Sequence, residues 1–411
     1  YYYQDKNSYY FASEIKPFKF VNKFERNNDV IYEQLKFRYV PGKNTVFKNI
    51  YRVKPGENCT INKLGIKFKK YFNVSSTFNN SNELNLENLK FNLDNSIKSH
   101  LLSDVGFTVQ LSGGLDSSYI TAFLSKYLNQ VDTISVKVID DQFDESSYQN
   151  FVSNHFKTNH HYIELGENDL YDNFSKFAYY MDIPIIHISC VFLYILSKEI
   201  SKENKVVITG EGADELFGGY SWLRLSKMFK YLKYLEKLGL KHQYIPNFGN
   251  KMKIIKSVLS QKIYQIGQSS LEDDFILKLI PDIKKNLNYR KELIDGVNNL
   301  NEQNFILSQE CYLQSMLERQ DRASMAAGVE ARVPFCDLNL YEYVNGIDAK
   351  KKINDQNTKH LFKLICKNYF DKNFIYRKKN GFNLPLGKWL RNKKKMGNYF
   401  DILVDQFHHH F

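Results

Sequence analysis

At 411 residues, with Lys+Arg 57 against Asp+Glu 45 and a net charge of +12, the chain exceeds the usual single-domain size, so two domains are expected. Five scattered cysteines, Cys59, Cys190, Cys311, Cys336 and Cys366, odd in number and never spaced as CxxC, argue against a disulfide framework or zinc site and for a reducing, cytoplasmic setting. There is no signal peptide and no run of roughly 18 apolar residues, and the basic balance, carried by a Lys-rich chain of A/T-biased codon usage, is a weak sign of nucleic-acid binding.

From Tyr1, a start without methionine that suggests a piece of a longer protein, to about Phe72, aromatic and β-branched stretches at Tyr9–Ala12 and Thr45–Val53 are punctuated by Pro41-Gly42 and Pro55-Gly56. This predicts short antiparallel strands. Residues 73–87 are polar and Asn/Ser-rich and read as a linker. Leu89–His100 reads as a helix, Phe107, Val109 and Leu111 as a strand, and the apolar set Ile120, Phe123, Leu124 and Tyr127 as the next helix. Strands at 133–138, 161–165 and 205–209 then alternate with helices near 145–156, 169–180 and 189–202. That alternation predicts an α/β fold with a doubly wound parallel sheet, whose ligands sit beyond the carboxyl ends of the strands.

Two loops there carry chemistry. SGGLDSS, residues 112–118, joins a strand to a helix N-terminus, where backbone N–H groups and the helix dipole favour an anion and Gly113 and Gly114 let it approach closely. Asp116 is repulsive in such a site unless a metal ion lies between it and phosphate; a Ser/Gly turn that merely caps the helix is the alternative. GEGADELFGGY, residues 210–220, follows the strand at 205–209 and concentrates Glu211, Asp214 and Glu215 among glycines. Either a cation offsets that charge or the turn is solvated. Residues 221–304 read as helical and Lys- and aromatic-rich, with FKYLKYLEKLG and LIPDIKK as amphipathic candidates and no chemical motif. Leu313, Met316 and Leu317 then set a helical face before ERQDRASMAAGVEARVPFCD, in which Asp321, Arg322, Glu330 and Arg332 either serve a carboxylate or phosphate or form a buried ion network. IYRKKNGFNLPLGKWLR closes the series with Lys378 and Lys379.

Neither GxxxxGK[ST] nor GxGxxG occurs. SGGLDSS instead resembles the pyrophosphate loop of the N-type ATP pyrophosphatases (adenine nucleotide alpha hydrolase-like), and with GEGADELFGGY, GVEARVPF and the RxKxGF pattern at Arg377, Lys379, Gly381 and Phe382 the chain resembles the glutamine-hydrolysing asparagine synthetases. YYFASEIKPF and VPGKNTVFKNIYRVKPGE resemble the last third of their Ntn-type glutaminase domain. The resemblance implies a glutaminase remnant at 1–72, a linker at 73–87 and a synthetase domain at 88–411. The glutaminase nucleophile is not within these residues, Cys59 being internal.

The resemblance further implies ATP-dependent conversion of aspartate to asparagine through β-aspartyl-AMP, with ATP and Mg2+ as cofactors. In it Leu111, Ser112, Gly113, Gly114, Asp116, Ser117, Ser118, Val136, Thr209 and Gly210 bind the nucleotide, and Thr209 stands where serine is usual. Asp116 and Asp214 hold the metal. Lys379 neutralises charge on the departing pyrophosphate, Glu211 accepts a proton from ammonia, and Glu215 and Arg332 line the site. Lys359 would add to the phosphate contacts, and Asp182 and Pro184 would lie near the substrate. The partners are aspartate, ATP and ammonia or glutamine, with no nucleic acid and no membrane; a homodimer is entertained, although the residues leave the oligomeric state open. A relative amidating another carboxylate, such as a sugar uronate, or closing a lactam ring or lasso peptide, would keep the ATP loops and change the acceptor pocket. A tRNA-modifying pyrophosphatase shares SGGxDS but leaves GEGADELFGGY and GVEARVPF unexplained.

Overall fold

The computed structural model describes all residues except 6–7, 22, 64, 186, 221, 224–233, 235–236, 238–254, 256–261, 268–270, 272, 355–356, 379–383, 387 and 390–411. Two compact units form, one from Tyr1–Leu84, Asp214–Ser315 and Glu342–Leu361, the other from Asn85–Ala213, Met316–Tyr341 and Phe362–Phe411. No helix among the described residues is long and apolar enough to cross a membrane.

The first unit opens with β1 (Tyr2–Gln4) and β2 (Tyr9–Phe11), then α1 (Asn28–Phe37), β3 (Ile50–Tyr51), β4 (Glu57–Asn62) and β5 (Gly65–Lys70). The strands are antiparallel as expected, in the order β2-β1-β3 with β4–β5 a separate hairpin. Two details differ from the sequence expectation. NDVIYEQLKF forms a ten-residue helix rather than strand, because Asn27 caps it by accepting from Asp29 N and its length buries Val30, Ile31, Leu35 and Phe37. The buried Arg290 fixes its end: the guanidinium lies 4.1 Å from the Phe37 ring and donates to Tyr39 Oη at 2.8 Å and to the carbonyls of Tyr264 and Ile266, both at 2.7 Å. The stretch 45–53 is mostly a loop, closed by Thr45 Oγ1 donating to Ile50 O at 2.7 Å.

Residues 73–87 are tied down. Asn73 caps a short helix Val74–Thr77, and Asn82 donates from its main chain to Gly346 O at 3.0 Å and from Nδ2 to Tyr343 O at 2.9 Å. In the 221–304 stretch the described helices are Asp273–Leu279, Asn288–Leu293 and Leu300–Leu307. LIPDIKK begins where the first of these ends, ahead of Pro281; FKYLKYLEKLG lies outside the described residues apart from Tyr234 and Lys237.

Lys352 is fully buried in this unit, its ammonium 4.9 and 4.8 Å from the Phe78 and Phe305 rings and donating to Asn345 Oδ1 at 3.1 Å. Burial pushes its pKa down to about 7, against the attraction of Glu302 and Asp348. The unfolded chain therefore binds more protons than the folded one between about pH 7 and the ordinary lysine pKa, so stability rises with pH across that window. Denaturation midpoints should rise from pH 7 to 10 at up to about 1.4 kcal/mol per pH unit from this group, and Lys352→Met should flatten that slope; equal slopes in both proteins would refute the assignment.

The second unit starts with α2 (Leu86–Ser99), capped by Asn85 accepting from Glu87 N and Asn88 N. It continues through β6 (Phe107–Gln110), α3 (Leu115–Tyr127), β7 (Asp132–Val138), α4 (Ser146–Phe156), β8 (Asn159–Leu165), α5 (Glu167–Met181), α6 (Ser189–Ile200) and β9 (Val206–Ile208), and β10 (Glu330–Arg332) joins later. All neighbouring strands are parallel, in the order β10-β9-β6-β7-β8. The apolar runs read as strands because both faces are covered: Ile134, Val136 and Val138 of β7 and Val207 of β9 share a buried cluster with Leu170 and Phe177 of α5 and Val191 and Phe192 of α6. β6 lies between β9 and β7, so the chain order reverses there and the carboxyl ends of β6 and β9 flank a topological switch point.

Candidate active site

Leu111, fully buried after β6, donates to Ile134 O at 2.9 Å and accepts from Ser135 Oγ, which anchors the start of the 112–118 loop to β7. Gly113 turns the chain at φ 77°, the left-handed region that favours glycine. A Cβ there would also lie 3.2 Å from Tyr148 Cβ. Gly114 is the N-cap of α3 and brings no side chain to the helix end. No side chain therefore caps the first turn of α3.

The loop hydroxyls divide their work. Ser112 Oγ accepts from Gly114 N at 3.2 Å and lies 3.1 Å from Ser117 Oγ, while Ser117 Oγ accepts from Ser112 N at 3.1 Å. Ser118 is fully buried and donates to Gly114 O at 2.7 Å, so its hydroxyl holds the helix start together. Within the loop Ser112, Gly114, Leu115 and Asp116 are the partly exposed residues. Val136, 8% exposed on β7, uses its carbonyl to accept from Gln149 Nε2 at 3.1 Å.

The loop after β9 meets this one. Thr209 N donates to Arg332 O at 2.9 Å, extending the β9–β10 ladder, and Thr209 Oγ1 accepts from Glu211 N at 3.4 Å. A Cβ on Gly210 would stand 2.9 Å from Asp116 Cβ, 3.0 Å from Ser117 N and 3.3 Å from Asp116 C. Two of these are main-chain atoms of α3 and cannot swing aside. Gly210→Ala is therefore expected to push the two loops apart, costing about 1–3 kcal/mol of stability; thermal denaturation checks this, and an unchanged midpoint would show that the loops can give way at no cost.

Glu211, beyond Gly210, pairs through Oε1 with Arg319 Nη2 at 2.8 Å. Arg322, one turn on along α7 (Leu313–Met325), lies 3.9 Å through Nη1 from Asp182 Oδ2, both side chains being nearly buried. Asp182 ends α5 with φ 60°. One helix face thus presents two guanidiniums, three residues apart, to two acidic loops. The sequence reading singled out Arg322 but not Arg319 or either pairing; the i, i+3 spacing was the available signal.

GVEARVPF contributes less to this cluster. Arg332 Nη1 donates to His100 O at 2.9 Å and Leu102 O at 2.8 Å, and Nε donates to Glu330 Oε1 at 2.8 Å. That hydrogen bond holds the Glu330 carboxyl below its usual range. Arg332 thus braces the segment after α2, Arg322 pairs with Asp182 and Arg332 with Glu330, and Glu330 and Asp321 are exposed.

In the other unit, Asp214 Oδ1 lies 2.7 Å from Lys359 Nζ, with Lys359 buried at φ 52° and donating its main-chain N–H to Gly218 O at 3.1 Å. Gly219 makes room, since a Cβ there would fall 2.6 Å from Lys359 Cε and overlap the Asp214 carboxylate. Glu215 is 1% exposed and accepts from Tyr220 Oη at 2.5 Å, an environment that raises the Tyr220 pKa chiefly by burial. Its carboxylate is committed to packing the acidic loop. Asp116 and Asp214 belong to different units and each is placed only within its own. Among the described residues no group of three or more His, Cys, Asp or Glu converges on a metal-sized space. Lys379, Gly381 and Phe382 lie outside the described residues.

Residues 88–409 match the family described as Asparagine synthase, and residues 1–72 match the Glutamine amidotransferase domain. The chain is 26% identical over 420 residues to Asparagine synthetase [glutamine-hydrolyzing] 1 of Bacillus subtilis, covering 96% of this chain and 65% of that protein. It is likewise 26% identical over 354 residues to Asparagine synthetase [glutamine-hydrolyzing] 3 of the same organism, covering 82% and 55%. With Asparagine synthetase B [glutamine-hydrolyzing] of Escherichia coli it shares 24% identity over 329 residues, 74% of this chain and 46% of that one. The chain thus spans about two thirds or less of the length of these relatives. With its parallel sheet, its SGGLDSS turn and a match running from residue 88 to 409, the chain belongs to the asparagine synthase family.

Proposed function

We propose that this chain carries the ATP-dependent half of an amide synthesis in which aspartate is the acceptor and asparagine the product. The observation that carries the reading is the packing of Gly210 against Asp116 and Ser117, which sets the two motif loops side by side at the switch point. An aspartate side-chain carboxylate attacks the α-phosphorus of MgATP, forming β-aspartyl-AMP and releasing pyrophosphate. Ammonia then attacks the acyl carbon, loses a proton and expels AMP. Adenylation is needed because hydroxide is a poor leaving group and AMP a good one.

In this reading the uncapped N-terminus of α3, with Ser112 and Ser117, binds the phosphates. Magnesium arrives with the nucleotide, and a half-exposed carboxylate at a phosphate loop, Asp116, is a suitable donor for it. Asp214, whose Oδ1 lies 2.7 Å from Lys359 Nζ, is the second carboxylate that its motif assigns to the metal. Glu211, oriented by Arg319, takes the ammonia proton. Lys379 balances charge as pyrophosphate leaves. The match of residues 1–72 to a glutamine amidotransferase domain supports glutamine as the nitrogen source of the whole protein.

ATP–pyrophosphate exchange with aspartate, compared with glutamate, a sugar uronate and a peptide carboxylate, tests the reading, with amide formation followed by mass spectrometry. Aspartate should support exchange and ammonia should complete the product. Exchange dependent on another carboxylate would move the acceptor, and none with any carboxylate would overturn the reaction class.

A further inference from the structure

The segment that leads to Lys379 is joined to the phosphate loop by one side chain. Arg377 Nη2 donates to the carbonyl of Gly113, and Nη1 donates to Phe374 O at 2.5 Å. The guanidinium lies between two rings, its carbon 3.8 Å from the Phe374 centroid and 4.3 Å from that of Tyr148. Tyr148 is also the side chain against which Gly113 packs, its Cβ 3.2 Å from where a Gly113 Cβ would stand. α4, which carries Tyr148, is in turn fastened to β7 by Gln149 Nε2 donating to Val136 O at 3.1 Å. The same few atoms therefore set the Gly113 peptide, the face of α4 and the end of the short helix Lys372–Tyr376.

The arrangement suits arginine and no other residue. A planar cation can stack on two rings and still donate in its own plane to two carbonyls, which an ammonium cannot do. It is also costly: burial lowers the Arg377 pKa, against the attraction of Tyr148, Glu145 and Asp116. A guanidinium kept in a partly desolvated slot to hold one loop carbonyl is a poor stabilising device compared with an apolar residue of similar size. It is a good device for fixing a peptide plane. The Gly113 peptide is thereby held from both ends: its carbonyl accepts from Arg377, its N–H, that of Gly114, donates to Ser112 Oγ at 3.2 Å, and Gly113 at φ 77° leads the chain into the α3 N-cap.

We propose that Arg377 is a positioning residue for the phosphate loop. It holds the Gly113 peptide in the orientation that leads into the α3 N-terminus. That this helix end receives an anion rests on the functional reading above; the clamp on the peptide does not.

The test uses the full chain with Arg377→Lys, which keeps charge and loses the planar fork, and Arg377→Ala, which leaves an open slot. Hydrogen exchange of peptides spanning 111–118 is measured first, without any ligand. Exchange there should rise at least tenfold in both variants, while peptides of β7 and α6 stay as in the parent. Unchanged protection of 111–118 overturns the clamp whatever the enzyme does. Next, carboxylate-dependent ATP–pyrophosphate exchange should show KM for ATP raised about tenfold and turnover at saturating ATP reduced by about the same factor, and guanidinium ion in the millimolar range should restore part of it to Arg377→Ala while methylammonium does not. Loss of loop protection with normal kinetics would overturn the loop's part in binding the nucleotide. A parent protein that shows no exchange at all, yet loses loop protection on substitution, would sink the functional reading and leave the clamp standing. If Arg377→Ala does not fold, Phe374→Leu, which removes one stacking face and keeps the guanidinium, should give a smaller loss of loop protection, and no loss would count against the clamp.

Discussion

Asp116→Asn is expected to reduce carboxylate-dependent ATP–pyrophosphate exchange by about a thousandfold or more, while thermal denaturation and far-ultraviolet circular dichroism stay close to the parent. The structural cost is small because the side chain is half-exposed in the first turn of α3 and asparagine has nearly the same volume. What is lost there is the interaction of a carboxylate with the helix N-terminus, about 0.3–1 kcal/mol. The kinetic cost is large because the charge is what a magnesium ion would be held by, and metal-assisted phosphoryl chemistry loses several kcal/mol without it. Gly210 packs on the Asp116 Cβ, so the carboxylate has little freedom to be replaced by a neighbour. Exchange within tenfold of the parent would remove Asp116 from the nucleotide site.

The elements around that site were legible because each carries a strong period. β7 and α3 recur at the spacings expected of a buried strand and a helix: β7 begins one residue before the expected 133–138, and α3 ends at Tyr127, the last of the apolar set that predicted it. β10 was not legible: three residues, EAR, have no period of their own and become a strand only because the Thr209 and Val206 ladder accepts them. α1 was missed for a related reason. The region 1–72 was read as short strands with nothing singled out in NDVIYEQLKF, and what decides for helix is the Asn27 cap together with the buried Arg290 far along the chain.

At the candidate site the residue types were readable and the pairings were not. Ser118 looked like a phosphate donor, but complete burial and the bond to Gly114 O give it a helix-start role. Arg332 looked poised for an anion because a proline follows it, yet its donors go to the carbonyls of His100 and Leu102. Neither partner lies near in sequence. Lys359 could be placed by motif alone, whereas its contact with Asp214 depends on a left-handed backbone at Lys359 and on the missing side chain at Gly219. The contacts of Arg332 and Lys359 are set by tertiary geometry, and no local pattern announces them.

Glu211→Gln should separate the two chemical steps. Glutamine keeps the length and shape of the side chain and can still accept from Arg319 Nη2 through its carbonyl oxygen, so the 2.8 Å contact need not break. It cannot take a proton from ammonia. If Glu211 acts only in the second step, carboxylate-dependent ATP–pyrophosphate exchange should stay within about threefold of the parent, while amide formation from ammonia falls by about a hundredfold to ten-thousandfold, the range expected for loss of a general base. The acyl adenylate would then be diverted to water, and AMP release would outrun asparagine. Arg319→Lys gives the complementary result: the base remains, but a flexible ammonium replaces the planar fork that orients it, so amide formation should fall less, by about tenfold, and exchange should again be spared. The outcome that defeats this assignment is a parallel loss of both activities in Glu211→Gln. Glu211 would then belong to the adenylation step, holding Arg319 for the nucleotide or the acceptor, and the proton from ammonia would have to leave by another group.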